Sequence, residues 1–268
     1  MMRLAAIQMN SGDDVGANLA TASALLEAAA GQGATLALLP ENFALMATTQ
    51  AQRLAHAESD GDGPIQALLA ETSRRLGLWV VAGTIPMRSV SSRRLRAACL
   101  VFDDRGLRVA RYDKMHLFDV DLGGGERYQE SAAFEPGDAV AVVDAPFGRI
   151  GLSVCYDLRF PELFRRLVEG GATILTVPAA FTVPTGAAHW EPLLRARAIE
   201  NGCYVVAAGQ EGRHPGGRVT YGHSMIIDPW GRVIAAEASG AAVVSAPCEP
   251  GYLEKVRAQL PSLQHRRF

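Results

Sequence analysis

Three residues with the chemistry of a thiol-based catalytic site each follow a stretch that resembles a β-strand. They are Glu41, Lys114 and Cys155. A thiol nucleophile needs a base close to it, and the oxyanion that forms on attack needs an electrophilic partner. Glu41 has the chemistry of the base and Lys114 that of the electrophile. A cysteine between a strand and a helix also lies near a helix N-terminus, which lowers thiol pKa, although the sequence does not establish how acidic Cys155 is.

Each of these residues also has an ordinary structural explanation. A single cysteine in an apolar run is commonly a small buried side chain. A glutamate after a strand is commonly a helix cap, and a lysine is commonly solvated. Lys114 and Lys255 are nevertheless the only lysines in the chain. The residue types alone therefore leave both explanations open.

The surrounding sequence predicts the elements that would position these side chains. Short apolar runs alternate with helix-like segments, which predicts an α/β fold with mixed sheets. Strands are predicted at 4–7, 35–39, 78–83, 97–102, 107–112, 139–143, 149–154, 172–177, 203–208, 224–227, 233–236 and 241–245. Helices are predicted at 18–30, 64–76, 161–169 and 188–200. Because ligand sites gather at strand ends in α/β folds, Glu41, Lys114 and Cys155 are well placed to share a site.

The composition predicts an ordinary globular protein. The 268 residues include 26 Lys and Arg against 28 Asp and Glu, with 49% hydrophobic residues, which excludes a long disordered chain. The near-neutral balance predicts no nucleic-acid or membrane-surface partner. No stretch is apolar for long enough to span a membrane. No linker divides the sequence, so we expect one domain over residues 1–268.

The cysteines and the first residues predict a cytoplasmic protein. The four cysteines are far apart and form no CxxC pair, which suits a reducing compartment. The start of the chain lacks the long apolar core and the cleavage site of a signal peptide. His116, His189 and His223 lack metal-ligand spacing, so we predict no metal site.

Three longer segments around Glu41, Lys114 and Cys155 resemble the signature segments of the nitrilase superfamily, the carbon–nitrogen hydrolases. They are LLPENF at 38–43, YDKMHLF at 112–118 and GLSVCYDLRFPE at 151–162. They occur in the order found in that family, and the resemblance extends over essentially the whole chain. It implies a single carbon–nitrogen hydrolase domain folded as a four-layer α-β-β-α sandwich with mixed sheets.

The resemblance also implies the roles of individual residues. Glu41 would be the base, Lys114 the electrophilic group or proton donor, and Cys155 the nucleophile that forms a thioester. A second glutamate is implied in the loop after the lysine, where Glu130 matches best and Glu126 is the alternative. The resemblance implies no metal and no organic cofactor.

Other segments resemble the Nit-type branch, which includes the deaminated glutathione amidases. They lie at 114–121, 156–163, 189–191, 194–200 and 221–224. The branch implies hydrolysis of a small carboxylate-bearing amide with release of ammonia, by a homodimer or larger homo-oligomer. The unusually glycine-rich segment 123–125 departs from the family pattern and leaves the position of Glu130 open.

Four residues are candidates for substrate binding. The backbone N–H of Tyr156 would help to hold the oxyanion. Arg159 could bind a substrate carboxylate through its two-pronged guanidinium, or it could form a structural ion pair. Phe181 and Thr182 follow a predicted strand and could line the acyl pocket.

Other functions remain open at this point. An ω-amidase, an N-carbamoyl amidase or a true nitrilase would share the same superfamily. A non-catalytic binding protein is disfavoured because Glu41, Lys114 and Cys155 are all present. A thiol redox sensor built on Cys155 lacks a resolving cysteine nearby in the sequence.

Overall fold

The computed structural model describes residues 2–90, 94–123 and 127–267. Its strands, in chain order, are β1 (Met2–Gln8), β2 (Leu36–Leu39), β3 (Trp79–Arg88), β4 (Leu95–Phe102), β5 (Arg108–Asp113), β6 (Asp119–Asp121), β7 (Arg127–Gln129), β8 (Val142–Ala145), β9 (Gly148–Leu152), β10 (Ile174–Ala179), β11 (Tyr204–Gly209), β12 (Glu211–Arg213), β13 (Val219–Tyr221), β14 (Ser224–Ile227), β15 (Val233–Glu237) and β16 (Ala242–Cys248).

The helices account for much of the remaining chain. The α-helices are α1 (Val15–Gly31), α2 (Gln50–Ala55), α3 (Pro64–Leu76), α4 (Pro161–Glu169), α5 (Val183–Asn201) and α6 (Pro250–Gln259). Short 3₁₀ helices lie at Glu130–Ala132, Cys155–Arg159, Pro215–Gly217 and Ser262–Gln264. Among the described residues, none of the helices combines the length and the apolar character needed to cross a membrane.

Twelve of the strands form two mixed sheets of six strands each. The strand order is β16-β1-β2-β3-β4-β5 in the first sheet and β15-β14-β11-β10-β9-β8 in the second. Each sheet has three parallel strands at its centre, β1 to β3 or β9 to β11, flanked by antiparallel strands at both edges. Strands β6 and β7, and β12 and β13, form two short antiparallel ribbons.

The alternation of side chains along the strands produces the layers, because successive residues of a strand point to opposite faces. On β1 and β2, the side chains that pack with helices α1 and α3 are Ala5, Ile7, Ala37 and Leu39. The side chains that pack with the second sheet are Leu4, Ala6, Leu36 and Leu38. Helices α4 and α5 cover the other face of the second sheet, for example through Phe164 and Trp190. The layers are therefore helix, sheet, sheet and helix, as the resemblance implied.

Several elements differ from the sequence prediction. Helix α5 begins at Val183 rather than at residue 188, and Pro184 lies in its first turn. Proline is tolerated there because the N–H groups of the first turn have no partner within the helix. Helix α2 was not predicted because it buries no side chain and so has no apolar period. Its start is stabilised instead by a capping box between Thr49 and Gln52. Helix α6 and the two short ribbons were also not predicted.

Candidate active site

The four side chains predicted to be catalytic converge where strands of both sheets end. Glu41 follows β2, Lys114 follows β5, Cys155 follows β9 and Glu130 follows β7. The Nζ atom of Lys114 lies 2.8 Å from Oε1 of Glu41 and 2.8 Å from Oε2 of Glu130. Lys114 and Glu41 are only 2% and 4% exposed, so these charges meet away from bulk water. The alternative second glutamate, Glu126, lies outside the described residues.

Glu41 is held in place by contacts from both sheets. A Cβ atom at Gly83 on β3 would lie 1.8 Å from the carbonyl oxygen of Pro40, so only glycine allows this close approach. The backbone N–H of Ala180, just after β10, donates to Oε2 of Glu41 at 2.9 Å. The side chain of Gln210 donates to the Glu41 carbonyl at 3.1 Å. The carboxylate is therefore fixed before any substrate arrives.

Cys155 lies at a strained turn between strand and helix. Its φ is +51°, in the left-handed region that residues other than glycine rarely adopt. This conformation directs the chain from β9 into the 3₁₀ helix Cys155–Arg159. The N–H of Asp157 donates to the Val154 carbonyl at 3.0 Å, and the N–H of Tyr156 precedes that first turn of the helix. The N–H of Tyr156 is thus the backbone amide that directly follows Cys155, at the start of this helix.

A fully buried carboxylate, Asp157, connects the turn at Cys155 to the segment that carries Lys114. Its Oδ2 accepts the Tyr112 hydroxyl at 2.7 Å and the Val154 N–H at 2.8 Å. Its Oδ1 accepts the His116 N–H at 3.1 Å and lies 2.7 Å from His116 Nδ1. Tyr112 is on β5, in the first sheet, whereas Asp157 follows β9 of the second. This network fixes Lys114 relative to Cys155.

The charge state of the cluster follows from burial and proximity. Burial opposes ionisation of Glu41, but Lys114 outweighs it and holds the pKa of the carboxyl below its usual value. Burial opposes protonation of Lys114, yet Glu130 and Glu41 hold the pKa of the ammonium well above its usual value. Burial raises the pKa of the Cys155 thiol, and Glu41 raises it further, against the opposite effect of Lys114. The resting cluster is therefore a carboxylate, an ammonium and a neutral thiol.

The acidity of Cys155 thus differs from what a helix N-terminus alone would produce. The thiol is 6% exposed, and the thiolate would lose its hydration in that position. The Glu41 carboxylate beside it disfavours a second negative charge. These two effects exceed the attraction of Lys114 and of the Ala180 N–H. A neutral thiol in this position would become a nucleophile only if a base removed its proton.

The cluster lies at one end of a cavity of about 440 Å³. All four predicted substrate-binding residues line it, namely Tyr156, Arg159, Phe181 and Thr182. The Arg159 guanidinium lies 5.8 Å from the ring centroid of Tyr156 and 5.5 Å from that of Phe181. Its Nη1 donates to Nδ1 of His189 at 3.3 Å. Among the described residues no carboxylate lies within salt-bridge distance of Arg159, so the alternative of a structural ion pair is not realised.

Phe181 and Thr182 form part of the cavity wall where β10 leads into α5. Phe181 packs against Trp190, with ring centroids 4.8 Å apart, which holds its ring towards the cavity. The Thr182 hydroxyl is 2.8 Å from the Thr185 hydroxyl, and the Thr182 side chain is buried. Its hydroxyl is thus already hydrogen-bonded inside the protein.

Sequence reasoning missed two further arginines that line the cavity, Arg53 and Arg218. Arg53 lies on α2, and Arg218 follows the turn Pro215–Gly217. Both donate to backbone carbonyls, of Ala47 and Ala180 respectively. Because those partners are defined by the tertiary fold, no local pattern could have identified Arg218. In the described part of the chain, no group of three or more His, Cys, Asp or Glu side chains could hold a metal ion.

The chain is similar to known proteins over nearly its whole length. The sequence pattern of the carbon–nitrogen hydrolase family matches residues 3–258. The deaminated glutathione amidase of Yersinia enterocolitica is 45% identical over 99% of this chain and 93% of its own length. The human deaminated glutathione amidase is 42% identical over 98% of this chain and 82% of its own length.

A solved structure shows the same fold. Saccharomyces cerevisiae Nit3, described as a member of branch 10 of the nitrilase superfamily, superposes with a TM-score of 0.90. It is 28% identical, and the match covers 100% of this chain and 97% of Nit3. The family match, the identity to relatives over nearly full length and the shared sandwich all lead to one assignment. This chain belongs to the carbon–nitrogen hydrolase family and is an amide-hydrolysing enzyme.

Proposed function

We propose that this enzyme hydrolyses deaminated glutathione, with Cys155 as nucleophile, Glu41 as base and Lys114 as electrophile. The observation that carries the proposal is the buried contact of Lys114 with Glu41 and Glu130, beside Cys155 and at the end of an arginine-lined cavity. The name of the Yersinia enterocolitica relative supports the substrate. Deaminated glutathione carries a 2-oxo acid carboxylate at one end and a glycine carboxylate at the other, with the scissile amide between them.

The reaction begins with attack of Cys155 on the amide carbonyl while Glu41 takes the thiol proton. Since the thiol is neutral at rest and the Glu41 carboxylate is ionised, proton transfer and attack on the amide carbonyl take place together. The negative charge that develops on the carbonyl oxygen is stabilised by the Lys114 ammonium and the Tyr156 N–H. These donors are already in place, so little reorganisation is needed when the charge forms.

Collapse of the tetrahedral intermediate breaks the carbon–nitrogen bond. Glu41 returns its proton to the departing nitrogen, and the acyl group remains on Cys155 as a thioester. A water molecule then attacks the thioester carbonyl while Glu41 accepts a proton from it. The carbon–sulfur bond breaks, the thiol is regenerated, and the carboxylic acid is released.

The leaving group depends on the amide. A primary amide such as α-ketoglutaramate releases ammonia. In deaminated glutathione the scissile nitrogen belongs to the cysteine residue, so the leaving amine is cysteinylglycine. The acyl part is the same in both, and the acid formed is 2-oxoglutarate.

Glu130 positions Lys114 rather than moving a proton. Both of its oxygens accept from Lys114 Nζ, at 3.0 and 2.8 Å, and Oε2 also accepts the Phe118 N–H at 2.7 Å. With Glu41 on its other side, the ammonium is held between two carboxylates. This arrangement keeps Lys114 charged and aimed at the oxyanion.

Arg159 binds the 2-oxo acid carboxylate of the acyl part. It lies four residues after Cys155 and its charged group is placed over the rings of Tyr156 and Phe181. A partly buried guanidinium that lacks its anion is unfavourable, so neutral amides are poor substrates. Phe181 and Thr182 form the wall against which the short carbon chain of the acyl group packs.

A coupled assay for 2-oxoglutarate tests the proposed function. The enzyme should release 2-oxoglutarate from deaminated glutathione, more slowly from α-ketoglutaramate, and act on no simple nitrile. The Cys155→Ala variant serves as the control for contaminating activity. Absence of turnover with deaminated glutathione, in an enzyme that hydrolyses other amides, would contradict the substrate assignment.

The enzyme acts as a homodimer or larger even oligomer in the cytoplasm. Ile199 on α5, Trp230 and Leu260 are 47%, 47% and 55% exposed and line a second cavity of about 300 Å³ beside α6. Such an apolar surface supports an interface between copies. Light scattering at micromolar concentration that shows only a 28.6 kDa species would contradict the oligomer.

A further inference from the structure

We propose that Arg53 and Arg218 form a second carboxylate site, which binds the terminal carboxylate of the peptide leaving group. This inference rests on the proposed function, because it assumes an amide whose leaving group is a short peptide. It extends that function from the acyl side of the scissile bond to the amine side. The ligand class is a peptide amide with a free C-terminal carboxylate.

Arg218 is connected to the catalytic cluster through a single residue. Its Nη2 donates to the carbonyl oxygen of Ala180 at 2.6 Å, while the N–H of the same Ala180 donates to Glu41 at 2.9 Å. Its guanidinium lies over the Tyr128 ring, 5.5 Å from the centroid. Its Nε is buried and has no hydrogen-bond partner among the described residues. The protein thus leaves part of the hydrogen-bonding capacity of this cavity-lining arginine unused.

Arg53 reaches the same part of the cavity from α2. Its Nη2 donates to the Ala47 carbonyl at 3.1 Å, and both residues line the cavity. The two arginine-bearing segments touch, since a Cβ atom at Gly216 would lie 3.1 Å from Cγ2 of Thr48. Burial and the nearby Arg218 charge lower the pKa of Arg53, which is consistent with two cations facing each other across a gap.

The charge of the described cavity wall matches a dianion. The wall contains the cations Lys114, Arg53, Arg159 and Arg218 and the carboxylates Glu41 and Glu130. Both carboxylates are paired with Lys114, and no described carboxylate lies within salt-bridge distance of the three arginines. Two positive charges therefore remain in excess. Deaminated glutathione supplies two carboxylates at opposite ends of the scissile amide.

The position of Arg218 relative to Glu41 indicates which end of the substrate each arginine binds. Glu41 donates its proton to the departing amine, so the leaving group lies on the Glu41 side of the carbonyl. Arg218 is joined to Glu41 by Ala180, whereas Arg159 is on the helix that begins at Cys155. An extended dipeptide spans roughly 7 Å, so a leaving group that begins beside Glu41 can extend past Ala180 towards Arg218. Arg53 and Arg218 therefore serve the amine side and Arg159 the acyl side.

The test compares three substrates that differ in one carboxylate. They are deaminated glutathione, the same molecule with its glycine carboxylate replaced by a carboxamide, and α-ketoglutaramate, which lacks the peptide. The unmodified enzyme should have a kcat/KM at least about tenfold higher for the acid than for the carboxamide. In Arg53→Gln and Arg218→Gln this preference should fall below about threefold, mostly through a higher KM for the acid.

Controls separate a binding role from a structural one. Arg53→Lys keeps the charge and should retain part of the preference. Arg88→Gln removes an exposed arginine that also donates to a backbone carbonyl of α2, that of Leu54, and should leave the preference unchanged. Arg159→Gln should lower kcat/KM for all three substrates. Because Arg218 also holds Ala180, the ratio between acid and carboxamide is the deciding quantity, rather than the absolute rate.

The outcomes are distinguishable. Equal kcat/KM for acid and carboxamide in the unmodified enzyme would overturn the second carboxylate site while leaving the proposed function intact. A preference that persists in both Arg53→Gln and Arg218→Gln would also overturn it. Failure of the unmodified enzyme to hydrolyse deaminated glutathione, together with turnover of α-ketoglutaramate, would overturn both the substrate assignment and this inference.

Discussion

The two sheets share one strand arrangement but contribute different chemistry to the cavity. In each sheet three parallel strands lie at the centre, and the middle strand, β2 or β10, ends beside the cluster. The charged Glu41 follows β2, whereas the segment after β10 contributes uncharged groups, namely the backbone N–H of Ala180 and the side chains of Phe181 and Thr182. The first sheet also supplies Lys114, after β5, and the second supplies Cys155, after β9.

This difference supports the proposal that the buried thiol of Cys155 is the nucleophile. Glu130 and Glu41 are the main groups that raise the pKa of Lys114, and Lys114 is the main group that lowers the pKa of Glu41, so a thiolate at Cys155 is not needed to balance these buried charges. The second sheet can then hold Cys155 as a neutral thiol at a strained turn. Two of the hydrogen bonds that join the sheets beside the cluster run from the Ala180 N–H to Glu41 and from the Tyr112 hydroxyl to Asp157.

Removing the proposed nucleophile, Cys155, should have the largest effect on activity and a small effect on the fold. Cys155→Ala should lower kcat by more than about 10³-fold, since the thioester cannot form. The ion pair of the first sheet remains, so the melting temperature should stay near that of the unmodified enzyme. Release of 2-oxoglutarate and thermal melting measure the two effects. Activity within tenfold of the parent would refute the assignment of Cys155.

Changing the cation of the first sheet should damage both activity and stability. Lys114→Ala leaves the buried Glu41 and the partly buried Glu130 without their cation, which costs about 3–5 kcal/mol of unfolding free energy. Lys114→Arg keeps the charge, but a planar guanidinium cannot occupy the place of a compact ammonium between two carboxylates. We expect Lys114→Arg to lower kcat/KM more than tenfold, a loss above about 1.4 kcal/mol. A rate above a tenth of the parent would mean that positive charge alone suffices.

Weakening the hydrogen bonds that Asp157 makes between the two sheets should have an intermediate effect on activity and stability. In Asp157→Asn the amide cannot accept all the hydrogen bonds that the carboxylate accepts, so at least one buried donor loses its partner. We expect a loss of about 1–3 kcal/mol in unfolding free energy and a fall in kcat at nearly constant KM. Tyr112→Phe, which removes one donor, is the milder companion variant. A pure stability loss with unchanged kcat would show that Asp157 does not position the site.

The protonation of Cys155 should give the smallest and most specific effect. Because the folded thiol has a raised pKa, it keeps its proton above pH 9, while the unfolded thiol ionises near its ordinary value of 9.0. The stability that this group contributes is present below pH 9 and is lost as pH rises. The unfolding free energy of the parent should fall relative to Cys155→Ala by up to about 1.4 kcal/mol per pH unit. Parallel curves from pH 7 to 11 would contradict the neutral thiol.

Much of the fold could be predicted from local sequence signals. Helices α3 and α4 begin with Pro64 and Pro161 and end before a glycine, so both boundaries agree with the prediction. Strands with continuous apolar runs, such as β2 and β10, were also recognised. Helix α2 and the ribbon of β12 and β13 were missed because their stability comes from caps and from neighbours distant in sequence.

The candidate site could be predicted only in part, because local sequence signals mark some of its residues and not others. Glu41, Lys114 and Cys155 lie inside long segments with a recognisable family pattern, and Glu130 lies in the loop after one of them. Arg53 and Arg218 lie in segments where no family pattern was recognised, and only the folded chain brings them to one cavity. The acidity of Cys155 was open for a related reason, since a helix terminus is local whereas burial and the approach of Glu41 are not.

Trapping an acyl group on Cys155 is the most direct test of the proposed roles of Glu41, Lys114 and Cys155. Deaminated glutathione would be mixed with the enzyme, quenched in acid within the first turnover, and the protein analysed by intact and peptide mass spectrometry. We predict one 2-oxoglutaryl group, attached to the peptide that contains Cys155 and absent in Cys155→Ala. Product formation without any adduct on Cys155, or with the adduct on another residue, would contradict the account.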